Sequence, residues 1–129
     1  MTVANVWACW AHVPHGRPGP PEALATRGTA REVPGRDDRR AVGDITFDEP
    51  VNGVFTGGSR EAYVRVIDRP AGRGCDAVAL VCTEIPLLVT PGVSPLPRLD
   101  STRLLARAAF DIAVGDRDLP AWRGGLVVG

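Results

Sequence analysis

The chain of 129 residues contains no lysine; all fifteen of its basic residues are arginine. A Schiff base to a carbonyl substrate or to pyridoxal phosphate needs a lysine amine, and this chain has none to supply. Fifteen acidic residues balance the arginines to a formal net charge of zero, which removes the electrostatic basis for a nucleic-acid or membrane partner. No apolar stretch approaches the roughly 20 residues that span a bilayer. A basic segment leading into an apolar run and a small-residue cleavage site is also missing. The three cysteines, Cys9, Cys75 and Cys82, form neither an even disulfide set nor a metal-knuckle spacing. These absences lead us to expect a soluble, cytoplasmic protein kept in a reducing compartment.

What is present divides the chain unevenly. Hydrophobic residues make up 44%, enough for one domain with a real core and little stability margin. Residues 1–35 hold Pro14, Pro18, Pro20, Pro21 and Pro34 among glycines, and are expected to be irregular. Within them, only Pro21 to Arg27 offers a helical turn. Residues 36–115 carry regular patterning, and 116–129 form a short glycine-rich tail. Asp37 and Asp38 suit a helix start, with Ala41, Val42, Ile45 and Phe47 as its apolar stripe. Pro50 interrupts this helix, which is expected to resume through Val54 and Phe55. Thr56-Gly57-Gly58 reads as a turn and Ser59 as the cap of a second helix buried through Tyr63, Val66 and Ile67. Pro70, Gly72 and Gly74 end it.

Asp76 to Cys82 (DAVALVC) is a short apolar run rich in β-branched residues, the pattern of a parallel strand covered on both faces. After Leu87 to Val89 and a Pro/Gly loop, Asp100 reads as the cap of a last helix carrying Leu104, Leu105, Ala108, Ala109 and Ile112. Helix, strand, loop, helix predicts an α/β fold. The expected architecture is part of a doubly wound, three-layer lobe with a mainly parallel sheet.

The chemistry centres on Cys82-Thr83-Glu84. A thiol at the carboxyl end of a parallel strand sits where open α/β sheets bind ligands. Backbone donors and a helix N-terminus there are expected to lower its pKa. Thr83 is placed to donate to a carboxylate and Glu84 to accept from an amino group. On spacing alone, a buried core cysteine remains the commoner reading. Cys75 reads as a structural thiol, and Asp48 and Glu49 as a solvated helix face. Asp100 is most simply a helix cap, with a contribution to the site left open. Cys9, His12 and His15 suggest a metal but lack a fourth ligand.

Gly74 to Leu88 (GCDAVALVCTEIPLL) resembles the signature of the cofactor-independent aspartate/glutamate racemase family. Leu96 to Thr102 (LPRLDST) is similar to that family's closing motif, and Ile45 to Glu49, Val54-Phe55-Thr56 and Ser59-Arg60 resemble its upstream motifs. The resemblance runs from about Glu22 to Val114. It implies amino-acid racemisation by two-base thiol chemistry, with neither pyridoxal phosphate nor a metal. Cys82 is then the catalytic cysteine of the second half, Thr83 a substrate contact and Glu84 its companion. The partner implied is a small amino-acid substrate, and the family also implies a homodimer.

The family's enzymes are longer, with two similar lobes and a first cysteine in an asparagine- and threonine-containing motif. Cys9 lies too close to the second half and lacks that pair, so this chain is expected to be a truncated copy holding the second lobe. Pro50 and Pro70 stand where the resemblance leads us to expect helical residues, and Val81 where it leads us to expect glycine. Two alternatives stay open: a non-catalytic remnant, and a related decarboxylase or isomerase that needs one cysteine. Ala25 to Thr29 resembles a substrate loop, but the gapless register makes it the end of a helix.

Overall fold

A computed structural model of the chain describes residues 5–9, 24–25 and 27–120. Four parallel strands form one sheet: β1 (Asn5–Cys9), β2 (Ala30–Glu32), β3 (Ala77–Leu80) and β4 (Arg98–Asp100). Their order is β2-β1-β3-β4, with Trp7 paired to Val78 and Leu80 to Asp100. The order reverses between β1 and β3, as in doubly wound sheets. Two of the four strands come from residues 1–35, which the sequence patterning marks as irregular. The β1 segment is five residues long and stands before a proline-rich stretch that hides its signal.

Two helices link β2 to β3: α1 (Arg36–Asp48) and α2 (Gly57–Ala71). Asp37 and Asp38 lie in the first turn of α1, where carboxylates favour the positive end of the helix dipole. The expected resumption beyond Pro50 does not occur. A 3-10 turn spans Pro50–Asn52 and closes on Gly53 at φ 75°, a left-handed conformation that glycine adopts without strain. The cap of α2 is Thr56 rather than Ser59. Its side chain accepts the Ser59 N–H at 3.1 Å, so Gly57 and Gly58 are helical despite their low propensity.

Pro70 lies inside the last turn of α2, which ends one residue later at Ala71. Being so near the end, it forfeits one helix hydrogen bond. Replacing it with alanine is expected to raise stability by about 1–3 kcal/mol in a denaturant melt, the propensity gap offset by some lost packing.

The core gathers on one side of the sheet. Val42 of α1 and Tyr63, Val66 and Ile67 of α2 meet Val78 and Leu80 of β3, together with Ile85, Leu88 and Val89. The Thr46 and Tyr63 hydroxyls touch each other, and both reach the Val42 carbonyl oxygen, at 2.6 and 2.9 Å. That network satisfies two polar groups inside the core. Tyr63→Phe is expected to cost about 1–2 kcal/mol in the same melt.

Beyond β3, a four-residue helix α3 (Ile85–Leu88) precedes the Pro/Gly loop, and α4 (Ser101–Ala113) follows β4. Asp100 caps α4 as expected, accepting the Arg103 N–H at 3.1 Å. The apolar residues of α4 fall at helical spacing, yet no residue of this helix is buried. Leu104, Leu105 and Phe110 are 57%, 72% and 60% exposed. Leu105→Gln is therefore expected to change stability by no more than about 0.5 kcal/mol, read by thermal melting. Among the described residues, no helix is long and apolar enough to cross a membrane.

Candidate active site

The carboxyl edge of the sheet is assembled by three junctions. Parallel β3 ends at Leu80 and hands the chain through Val81 to Cys82, Thr83 and Glu84, after which α3 begins. At the start of α4, the Ser101 hydroxyl donates to the Leu80 carbonyl at 3.1 Å, fastening the β4–α4 junction to the end of β3. In the first turn of α2, the Arg60 Nε donates to the Leu88 carbonyl at 3.0 Å. The Cys82 loop is thus held from both sides, at the crevice where the strand order reverses.

Cys82 is half-buried against the core cluster, and its Sγ donates to Glu84 Oε2 at 2.9 Å. The thiol pKa is pushed up, foremost by burial and then by the hydrogen bond to the Glu84 carboxylate. The backbone N–H groups of Glu84 and Ile85 pull the other way and are outweighed. This corrects the expectation of a lowered pKa: a carboxylate two residues along stabilises the protonated thiol. Glu84 responds in the opposite sense. Its pKa is lowered, first by the Cys82 hydrogen bond and then by one from Thr83. Glu84 is therefore engaged by its two neighbours and accepts from a further donor only by releasing one of them.

A raised thiol pKa means that the thiolate forms at higher pH than in an ordinary cysteine. Alkylation of Cys82 by iodoacetamide, followed by peptide mass spectrometry, is expected to have its pH midpoint above the ordinary thiol value. In Glu84→Gln the midpoint should fall, since the carboxylate favouring the protonated form is gone. Cys75 has its pKa raised too, chiefly by burial. Folding therefore holds both protons more tightly than the unfolded chain does. That contribution is fully present below the unfolded thiol pKa and is lost as pH rises through the folded values.

The remaining candidates separate cleanly. Thr83 is exposed beside Cys82, and Val81 has no positive φ, so the backbone does not require the glycine that the resemblance leads one to expect. Cys75 is buried ahead of β3, at the opposite end of the strand from Cys82, in keeping with a structural thiol. Asp48 is exposed at the end of α1. Glu49 accepts from the Thr56 hydroxyl at 2.9 Å and from that of Ser59, which ties down the loop before α2. Ala25 closes a helical turn whose Gly28, at φ 71°, and Thr29 bond back to Ala25 and Leu24. This Schellman-type ending agrees with reading the segment as a helix end. The backbone of β1 brings Cys9 to the same sheet edge, paired with Leu80. Its side chain, with His12 and His15, lies outside the described residues.

Sequence reasoning missed the cleft next to this thiol. Thr83, Leu87, Arg98, Asp100, Thr102 and Arg103 are among the residues that line a space of about 440 Å³. The available signal was the Asp100 cap. It marks a strand-to-helix junction that folds residues 98 and 103 toward each other, although no local density of arginine reveals it.

No protein-family model matches the chain. Its structure is similar to that of a candidate Asp/Glu racemase from Yersinia pestis, with a TM-score of 0.78 and 29% identity over 87% of this chain. An aspartate racemase homologue from Pyrococcus horikoshii aligns with a TM-score of 0.73 and 22% identity over 87% of this chain. Picrophilus torridus aspartate racemase aligns at 0.57 and 22% over 92% of this chain. The chain covers 49%, 49% and 48% of those three structures. In fold, it matches about half of an Asp/Glu racemase-type protein.

Proposed function

We propose that this chain carries one proton-transfer half of an aspartate/glutamate-type racemase site, with Cys82 as the group that exchanges a proton with the substrate α-carbon. The observation that carries this reading is the position of the Cys82 thiol at the switch point of a parallel sheet whose fold matches racemase-type structures. The α-hydrogen of an amino acid is weakly acidic, so its removal needs a poised base and its return needs an acid on the opposite face. Cys82, held as a thiol by Glu84, is set as the acid. It becomes the base once the pair gives up its proton. Thr83 donates to the substrate α-carboxylate, where negative charge grows as the carbanion forms. Glu84 sets the protonation state of the thiol and exchanges its internal partners for the substrate amino group. No metal or organic cofactor is part of the proposal.

Full racemisation needs a second acid–base group on the other face of the substrate. Among the described side chains, Cys82 is the one thiol at this edge; the side chain of Cys9, whose backbone reaches the same edge, is not among them. We assign that group to a source outside the described side chains: another lobe, a second copy of the chain, Cys9, or a residue beyond β1. Chiral chromatography of L-aspartate incubated with the protein tests the reading. Appearance of D-aspartate supports it; a folded protein with Cys82 intact that forms no D-aspartate and also leaves the α-proton unexchanged in deuterated water counts against it.

One observation favours a second reading. A single thiol kept protonated suits delivery of a proton to one face of a carbanion left by decarboxylation. Carbon dioxide release from a substituted malonate, without turnover of aspartate, would select that reading.

A further inference from the structure

We propose that the cleft between the Thr83–Pro91 loop and the β4–α4 junction is the subsite for the side-chain carboxylate of an acidic amino acid, held by Arg98 and Arg103. This deepens the proposed function and rests on it. The cleft's volume, about 440 Å³, falls within the roughly 300–1,000 Å³ range of small-ligand pockets. Thr83 forms part of its wall, so the residue beside the reactive thiol also faces this space.

The charge on the wall is the main argument. Arg98 is half-buried, and its Nη1 donates to the Val89 carbonyl at 2.7 Å and the Pro86 carbonyl at 3.2 Å. Those bonds fix the guanidinium without neutralising it. Among the described residues, no carboxylate lies within ion-pair distance of Arg98. A partly desolvated, immobile cation without a counter-charge is costly unless an anion joins it. Arg103 adds a second cation. Its side chain is 87% exposed, and its ion-pair partner is the cap Asp100, at 3.5 Å. Two guanidinium groups against the one carboxylate of Asp100 leave the wall with a net charge of +1, matched to a single carboxylate. The Thr102 hydroxyl, on the same wall, supplies a neutral donor. A planar guanidinium receives a carboxylate by paired hydrogen bonds. Aspartate or glutamate, anchored through its α-carboxylate near Thr83, thus meets a built complement for its second carboxylate.

The test is a calorimetric titration of the purified chain with succinate, a dicarboxylate without an amino group, against butyrate, which has one carboxylate. Succinate is expected to bind at least about tenfold more tightly, a preference lost at high salt. Arg103→Gln, on an exposed side chain, should bring the two ligands to within about threefold, and Arg103→Lys should restore part of the gap. Arg98→Lys, checked by thermal melting for an intact fold, should weaken succinate more than butyrate. Equal binding of the two ligands, no saturable succinate binding, or an unchanged preference in Arg103→Gln overturns the proposal. The outcomes also separate it from the racemase reading. A succinate preference that depends on Arg103, with no α-proton exchange on aspartate, keeps the subsite and removes the racemase. Exchange that proceeds equally on alanine and aspartate keeps the proton transfer and removes the subsite.

Discussion

Leu80→Ala is expected to cost the fold about 2–5 kcal/mol, read as a lower midpoint in a denaturant melt. Leu80 is fully buried, ends β3, and packs in the cluster that joins the sheet to α1 and α2. Its truncation removes apolar contact and leaves a cavity at the strand end that holds the Cys82 loop. A small domain has about 5–15 kcal/mol in total, so the loss takes a large share. The same substitution should also loosen the site, because the Ser101 hydroxyl is bonded to the Leu80 carbonyl and that strand end would move. An unchanged midpoint would mean that β3 is not the centre of the core.

The second large effect falls on chemistry rather than stability. Cys82→Ala is expected to reduce exchange of the substrate α-proton by at least about 10²-fold, the usual worth of a positioned acid–base group. Cys82→Ser should do nearly as much harm, because a serine hydroxyl is far less acidic than a thiol and makes a poor base near neutral pH. Stability should change by only about 1 kcal/mol, since Cys82 sits at the margin of the core rather than within it. Glu84→Gln should behave differently. Removing the carboxylate that holds the thiol protonated should shift the pH dependence of exchange to lower pH. A merely structural role for Glu84 would not move that profile.

The elements legible in the sequence were those with a strong local signal. DAVALVC read as a parallel strand because apolar, β-branched residues fill it. Tyr63, Val66 and Ile67 gave the buried face of α2 by helical spacing, and all three are in the core. Asp100 read as a cap from its residue type and its place ahead of an apolar helix. The misses share a cause, since each depends on distant contacts. The strands β1 and β2 exist because neighbours supply their hydrogen bonds. Ala-Arg-Glu carries no strand propensity of its own and joins the sheet through β1. Gly57 and Gly58 look like a turn until Thr56 caps them. The α4 stripe has core spacing, but periodicity does not say whether a partner surface is present.

The site divides in the same way. The place of Cys82, Thr83 and Glu84 at the carboxyl end of β3 was legible because they are contiguous and follow a recognisable strand. The protonation state of Cys82 was not, since it turns on which acceptor the thiol meets. A carboxylate was found where backbone donors were expected to dominate. The cleft was hidden because Arg98 and Arg103 lie on different elements, joined by the fold around Asp100. Their separation in sequence looks unremarkable, while their meeting beside the wall formed by Thr83 is what gives them chemical meaning.

The central claim, that Cys82 exchanges a proton with the α-carbon of an acidic amino acid, is tested most directly by proton NMR of aspartate with the folded chain in deuterated water. Exchange of the α-proton needs only one base, so it reads Cys82 without requiring the group that serves the opposite face. The account predicts that the α-proton signal declines as deuterium enters, and that Cys82→Ala abolishes the decline. A chain that melts cooperatively yet leaves the α-proton signals of both aspartate and glutamate intact would contradict it.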